Sequence, residues 1–181
     1  TLCLSRPRAA HDGPVPPMKV ALLVPVYNED TADVFGNAAA MLSALDEQDL
    51  VHSFDLFILS DTRDAAIAAK EERAFIALRT QLGLGSQVYY RRRADNADRK
   101  VGNLADWVEN WGGAYEGMLV LDADRLMAGE AIVGLADALA YDPSAGLIQS
   151  FPTLFGAQSV FGRVQQFSNC VYGAALAEGL A

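Results

Sequence analysis

The chain has 181 residues, a formal net charge of -9, and 51% hydrophobic against 20% charged residues. That length and balance describe one globular domain able to bury a sizeable core, and they exclude a disordered tail. The acidic balance also excludes nonspecific nucleic-acid binding, which needs broad basic surface to neutralise phosphates.

Residues Thr1 to Pro17 hold four of the seven prolines and read as a linker or extended arm, because proline removes donors and blocks helix. The run from Lys19 to Tyr27 is continuously apolar at strand length, as in central strands covered on both faces. A polar loop, Tyr27 to Asp30, separates it from a helix predicted over Val34 to Leu45, with Val34, Ala38, Met41, Leu42 and Leu45 at helical spacing. Phe54 to Ser60 is a second strand, again ending in polar residues, Asp61 to Asp64. Ile67, Ala74, Phe75, Leu78 and Leu82 mark one face of the next helix, which Gly83 and Gly85 end. Lys70, Glu71, Glu72 and Arg73 fall mostly off that face and read as solvated charge. Val88 to Tyr90 is a short third strand, Val101 to Trp111 a helix and Met118 to Leu121 a fourth strand. Ala131 to Tyr141 is helical and stops at Asp142-Pro143. Another short strand begins at Gly146, and a last helix starts near Val160.

Alternating strands and helices predict a layered α/β domain with a mostly parallel central sheet. Ligands of such sheets bind outside the C-terminal ends of the strands. Tyr27–Asp30, Asp61–Asp64, Arg91–Lys100 and Asp122–Asp124 are thereby expected on one edge. The residues between Tyr89 and Asp124 suggest the ligand. A basic cluster (Arg91, Arg92, Arg93, Arg99, Lys100) is followed by a helix and then by a strand delivering Asp122 and Asp124. Magnesium and manganese take one or two protein carboxylates together with substrate phosphates, while Lys and Arg hold the remaining phosphate oxygens. The Lys100-Val101-Gly102-Asn103 turn opens a helix whose N-terminal amides could face an anion. The expectation is a nucleotide-diphosphate site.

Asp-x-Asp is short, and on its own it also describes a turn in which Asp accepts backbone hydrogen bonds. At the end of an apolar strand it fits two enzyme classes. An aspartate-nucleophile phosphatase would use Asp122 to attack phosphorus, but such enzymes place the pair on the first strand. A nucleotide-sugar glycosyltransferase uses the pair to anchor a metal on the diphosphate, after earlier strands have bound the base, and the order here fits that class. A noncatalytic nucleotide-binding module remains a third reading. A dinucleotide dehydrogenase is disfavoured, because Pro25-Val26-Tyr27-Asn28 follows the first strand where a glycine-rich turn would be needed. Trp107 and Trp111, at helical spacing, read as packing residues, and Phe151 to Phe155 as core or acceptor groove. His11 and His52 are isolated and read as surface or loop residues rather than ligands. Cys3 and Cys170 define neither a disulfide framework nor a zinc site, so a reducing, cytosolic setting is the default.

Val24-PVYNED-Asp30, Leu59-SDTRD-Asp64, Arg99-KVGNLADW-Trp107 and Leu119-VLDAD-Asp124, in this order, resemble the inverting family 2 glycosyltransferases of GT-A (Rossmann-like) fold. With Ala94-DNADRKVGNLADW, Trp111-GGAYE and Gly146-LIQSFPTLFG, the resemblance is closer to the glucosyltransferases of osmoregulated periplasmic glucan (membrane-derived oligosaccharide) synthesis, and it covers nearly everything from Pro16 onward. It implies a parent protein embedded in the inner membrane of a Gram-negative bacterium. A cytoplasmic domain would use UDP-glucose and a divalent metal, Mg or Mn, to extend a β-glucan acceptor. Residues 18–181 would be the nucleotide-sugar-binding part of that domain, incomplete at the C-terminus. By the same resemblance Pro25, Tyr27 and Glu29 would line the nucleoside pocket, Asp61 would accept a hydrogen bond from uracil, and Lys100 would contact the diphosphate. Asp122 would sit near ribose and metal, with Asp124 the main metal ligand. The catalytic base is expected downstream of Ala181, so that the chain would bind donor without transferring sugar. No run approaches the roughly 18 apolar residues of a membrane span, and nothing resembles a signal peptide. A start at Thr1 without Met and an alanine-rich end at Ala174–Ala181 read as a piece of something longer, so this says little about the parent.

Overall fold

In the computed structural model, which describes residues 13–83 and 87–150, the compact unit Val15–Ala145 holds every described helix and strand. The described residues of the second unit, 13–14 and 146–150, form neither. The strand expected to begin at Gly146 is therefore not found at 146–150. Its continuation, the Phe151–Phe155 segment, the helix near Val160, His11 and both cysteines lie outside the described residues.

The order is β1 (Lys19–Val26), α1 (Thr31–Asp46), β2 (Ser53–Ser60), α2 (Ala65–Leu82), β3 (Val88–Arg92), α3 (Arg99–Trp111), a single 3-10 turn (Gly112–Ala114), β4 (Gly117–Val120) and α4 (Gly129–Tyr141). The sheet has four strands in the order β3-β2-β1-β4, and every pairing is parallel. This is the Rossmann-like α/β layering that the alternation of elements predicts.

Strand order explains which face each helix covers. A parallel crossover is right-handed in nearly all proteins. The two steps β1 to β2 and β2 to β3 run one way across the sheet, and the step β3 to β4 returns past both. The α1 and α2 crossovers therefore cover one face, and α3 the other. The period of β1 records the split. Val20, Leu22, Val24 and Val26 join Val34, Phe35, Met41 and Leu78 from α1 and α2, with Ile132 of α4, in the larger core. Ala21 and Leu23 point the opposite way and join Phe57, Leu59 and Trp107 of α3. A strand covered on both faces has no polar side, which is why β1 reads as an unbroken apolar run.

Asp30 and Asp64 start α1 and α2 as N-caps. Asp30 accepts from the amides of Ala32 (2.8 Å) and Asp33 (3.2 Å), and Asp64 from those of Ala66 (2.8 Å) and Ile67 (3.0 Å). Such caps satisfy donors that the helix itself leaves unpaired. Gly83, at φ 87°, closes α2 in a conformation that favours glycine. Gly129 allows α4 to start against α1, since a Cβ there would lie 2.5 Å from the Ala44 carbonyl oxygen.

Trp107 is a packing residue as expected, 1% exposed and edge-on to Phe57. Trp111 is not: it is 41% exposed and lies under the Arg91 guanidinium. Four residues on from Trp107, the helix has already turned part of that side to solvent. His52 lies in a loop, one of the two settings expected, but it is buried and not at the surface, with Nδ1 accepting from the Met18 amide at 3.1 Å and Nε2 3.0 Å from an Asp137 carboxylate oxygen. Its ring ties the start of β1 to α4.

Trp107 is the largest of the fully buried side chains and belongs to the core on the α3 face. Trp107→Ala is expected to cost roughly 3–5 kcal/mol, read as a fall in the urea midpoint at unchanged slope.

Candidate functional site

β1 and β4 separate at their C-terminal ends. Their last paired residues are Leu23 and Val120, and the Leu121 amide still donates to the Leu23 carbonyl at 2.8 Å. Alternation turns the backbone of Pro25 to the same side, just past the end of this ladder. Proline, which has no N–H to offer, is tolerated there because no partner strand remains. The parting opens a cleft of 640 Å³ at the point where the strand order reverses, where α/β sheets bind ligands.

All seven site residues expected from sequence line this cleft. Pro25, Tyr27 and Glu29 come from the end of β1, Asp61 from the end of β2, Lys100 from the first turn of α3, and Asp122 and Asp124 from the segment after β4. Arg99 of the basic cluster and Asn103 of the turn that opens α3 line it too, together with Asn96, which was not among the expected residues.

Asp61 forms the deep end. It is 4% exposed, and both its oxygens accept from Arg93, from Nε and Nη2 at 2.8 Å each. This fork-to-fork pair raises the Arg93 pKa, with the Asp61 hydrogen bonds as the leading cause. Arg93 Nη2 also reaches the carbonyls of Ala97 (3.2 Å) and Arg99 (3.3 Å) and so fixes the segment that leads into α3.

That segment is tightly wound. Asp98 and Arg99 have φ of 56° and 50°, both left-handed, and Asp98 gives α3 no side-chain cap. Gly102 lies directly over the turn, where a Cβ would be 2.2 Å from the Ala97 carbonyl oxygen. Lys-x-Gly-Asn is thus a close-approach requirement. Asn103 then locks α3 to the sheet, its Nδ2 donating to the Leu59 carbonyl at 2.8 Å.

The basic run divides. Arg91 faces α3, 3.1 Å from Asp106, and Arg93 is bound to Asp61; only Arg99 and Lys100 of the five line the cleft. Strand alternation and the carboxylates within reach decide this, and neither can be read from a list of charges.

Lys100 Nζ meets Asp122 Oδ1 at 2.6 Å, and Arg125 Nε stands 3.4 Å from the other Asp122 oxygen. The Lys100 hydrogen bond, offset in part by desolvation, holds the Asp122 carboxyl below its usual range. Asp124 is exposed beside it. Among the described residues, no group of three or more His, Cys, Asp or Glu gathers as a metal site. The two carboxylates are a fitting set of hard oxygen donors for a cation that completes its shell from phosphate and water.

Glu71 overturns its reading as solvated charge. It is 1% exposed and accepts from Ser60 Oγ (2.7 Å), Thr62 Oγ1 (2.6 Å) and Tyr90 OH (2.9 Å). Burial, and then Glu71 itself, push the Tyr90 phenol up. Counting only apolar positions hid Glu71, although it falls at i+3 from the buried Ala68 and i−7 from the buried Leu78. Lys70, Glu72 and Arg73 are exposed as expected.

Over 172 residues, 94% of the chain, it is 48% identical to a protein of Caulobacter vibrioides named glucans biosynthesis glucosyltransferase H. The chain is similar to one segment of that glucosyltransferase. Proteins of the same name from Xylella fastidiosa, 48% identical over 89% of the chain, and from Shewanella sp., 46% over 90%, agree. The chain spans about a quarter of the length of these curated relatives, 26%, 25% and 22% in turn. No family profile matches it. Among the described residues, no helix is long and apolar enough to cross a membrane.

A carboxylate whose pKa is lowered by folding adds stability above its unfolded value and loses it as pH falls through the folded one. For Asp122 this contribution is small, since the pair is half exposed. In a carboxyl-carbon NMR titration, Asp122 is expected to titrate below ordinary aspartates, and Lys100→Met to move it back up.

Proposed function

We propose that this chain forms the donor-binding part of an inverting glucosyltransferase that takes UDP-glucose, with magnesium or manganese, and extends a β-glucan. The observation that carries the reading is the meeting of Lys100 with Asp122 and Asp124 in one cleft whose deep end is the Arg93-bound Asp61, in a chain whose relatives are named glucosyltransferases. A diphosphate needs cationic donors beside metal-binding oxygens, and a nucleoside needs an enclosed polar end.

On this reading Asp61 recognises the uracil ring. Arg93 fixes its position, and its oxygens retain lone pairs for a ring N–H. Pro25, Tyr27 and Glu29 line the nucleoside, with Glu29 accepting from the Tyr27 amide and so holding the loop closed on itself. Lys100 exchanges Asp122 for a phosphate oxygen, and the uncapped first turn of α3 offers amides to the same anion. Asp122 and Asp124 would hold the cation, which when bound offsets the charge that develops on departing UDP. Lys100 does the same from the protein side. The parent protein would lie at the bacterial inner membrane with this segment on the cytoplasmic side.

Calorimetric titration of UDP and UDP-glucose, against GDP and ADP, in manganese, in magnesium and with chelator, tests the reading. Uridine-selective, metal-dependent binding is expected, weakened about tenfold or more in Asp124→Asn, the equivalent of about 1.4 kcal/mol. Equal binding of all four nucleotides would overturn it. Turnover of phosphomonoesters through Asp122 would favour the phosphatase alternative instead.

A further inference from the structure

We propose that Glu71 and Thr62, neither of which lines the cleft, are positioning residues that hold the nucleoside end of the cleft in shape. The proposal rests on the donor-cleft reading for its ligand, but its structural core stands apart from it.

A buried carboxylate is costly unless donors meet it. Three hydroxyls do so at Glu71, and they belong to the end of β2 (Ser60), the loop after it (Thr62) and β3 (Tyr90). An ionised carboxylate only accepts, so each hydroxyl commits its single hydrogen to Glu71. The lone pairs left over are used in turn. Ser60 Oγ accepts from the Thr62 amide at 3.1 Å, and Thr62 Oγ1 accepts from the Asn28 amide at 3.0 Å. The direction of every bond in the relay follows from Glu71 being an acceptor. A glutamine there would turn an NH₂ group toward at least one of these hydroxyls, reversing that bond and leaving the hydroxyl hydrogen to find another acceptor.

The relay ends on the loops that carry the ligand groups. Asn28 is left-handed, φ 59°, and stands between Tyr27 and Glu29. A non-glycine residue keeps such a backbone only where its surroundings hold it, and here the hold is the Thr62 oxygen on its amide. Asp61 lies between Ser60 and Thr62, with both flanking hydroxyls tied to one carboxylate. Glu71 thus sets the spacing between the Tyr27–Glu29 rim and the Asp61 floor from the far side of the loops.

The test uses the 181-residue chain with Thr62→Val, which keeps shape and removes the hydroxyl, Thr62→Ser, which restores it, and Glu71→Gln. UDP and inorganic pyrophosphate are titrated in manganese, and Asn28 amide exchange is followed by NMR. Thr62→Val is expected to weaken UDP by roughly tenfold, on the scale of one lost hydrogen bond or slightly more. It should leave pyrophosphate unchanged, deprotect Asn28 selectively and be rescued by serine. Glu71→Gln should do the same if it folds. A folded Thr62→Val that binds UDP as tightly as the parent chain and protects Asn28 equally overturns the proposal. So does an equal loss for UDP and pyrophosphate with uniform deprotection, the mark of a purely structural role. If the unsubstituted chain binds no UDP, the donor reading fails on its own. Asn28 exchange then decides: selective deprotection in Thr62→Val supports positioning, and unchanged protection overturns it.

Discussion

The reversal of strand order at β1 is the constraint on which the rest depends. Because β2 and β4 flank β1 and the crossovers keep one hand, the strand must be apolar on both faces, α3 must lie opposite α1 and α2, and the chain must part where β1 and β4 end. The cleft is the consequence of that parting. Pro25 sits where a central strand can do without a donor, and the polar residues just beyond the strands are delivered to the same opening from four directions. No single loop builds the site.

Electrostatics then sorts an acidic chain's few cations into separate tasks. Arg93 is committed to buried Asp61, a fixed pair whose guanidinium also ties down the carbonyls before α3. Arg91 is held by Asp106 and stacks on Trp111 on the outer side of α3. Lys100 is different in kind. Its partner, Asp122, is as exposed as the lysine itself, so the bond is weak in water and exchangeable. A pair that can be opened cheaply suits residues that must change partners when a charged ligand arrives, whereas the Asp61–Arg93 pair is built to stay.

The strained backbone is concentrated in the same place. Asn28, Asp98 and Arg99 are the non-glycine residues of positive φ among those described, and all three flank the cleft. Each is held from outside its own loop: Asn28 by Thr62 and the Glu71 relay behind it, and the 98–99 turn by Arg93 and the close approach of Gly102. Two such residues side by side cost of order 1–3 kcal/mol each, which the bidentate Arg93–Asp61 interaction helps offset. The loops are placed by buried polar bonds and not by their own preferences.

Much of this was legible in the chain itself. Unbroken apolar runs, helical periodicity and the polar residues after each strand indicated the α/β class, the parallel sheet and the edge on which Tyr27, Glu29, Asp61, Lys100, Asp122 and Asp124 meet, because these depend on local pattern and on general rules of strand connection; Pro25 was expected there from the family resemblance alone. Only the tertiary structure could separate Lys100 from Arg91 and Arg93, bury Glu71 and His52, and turn Trp111 outward. Each of those outcomes depends on which carboxylate, hydroxyl or ring another element brings within about 3 Å. A sequence records the charge of a side chain and its place along a helix or strand. Whether that charge ends in water, in a permanent pair or in an exchangeable one is decided by neighbours tens of residues away.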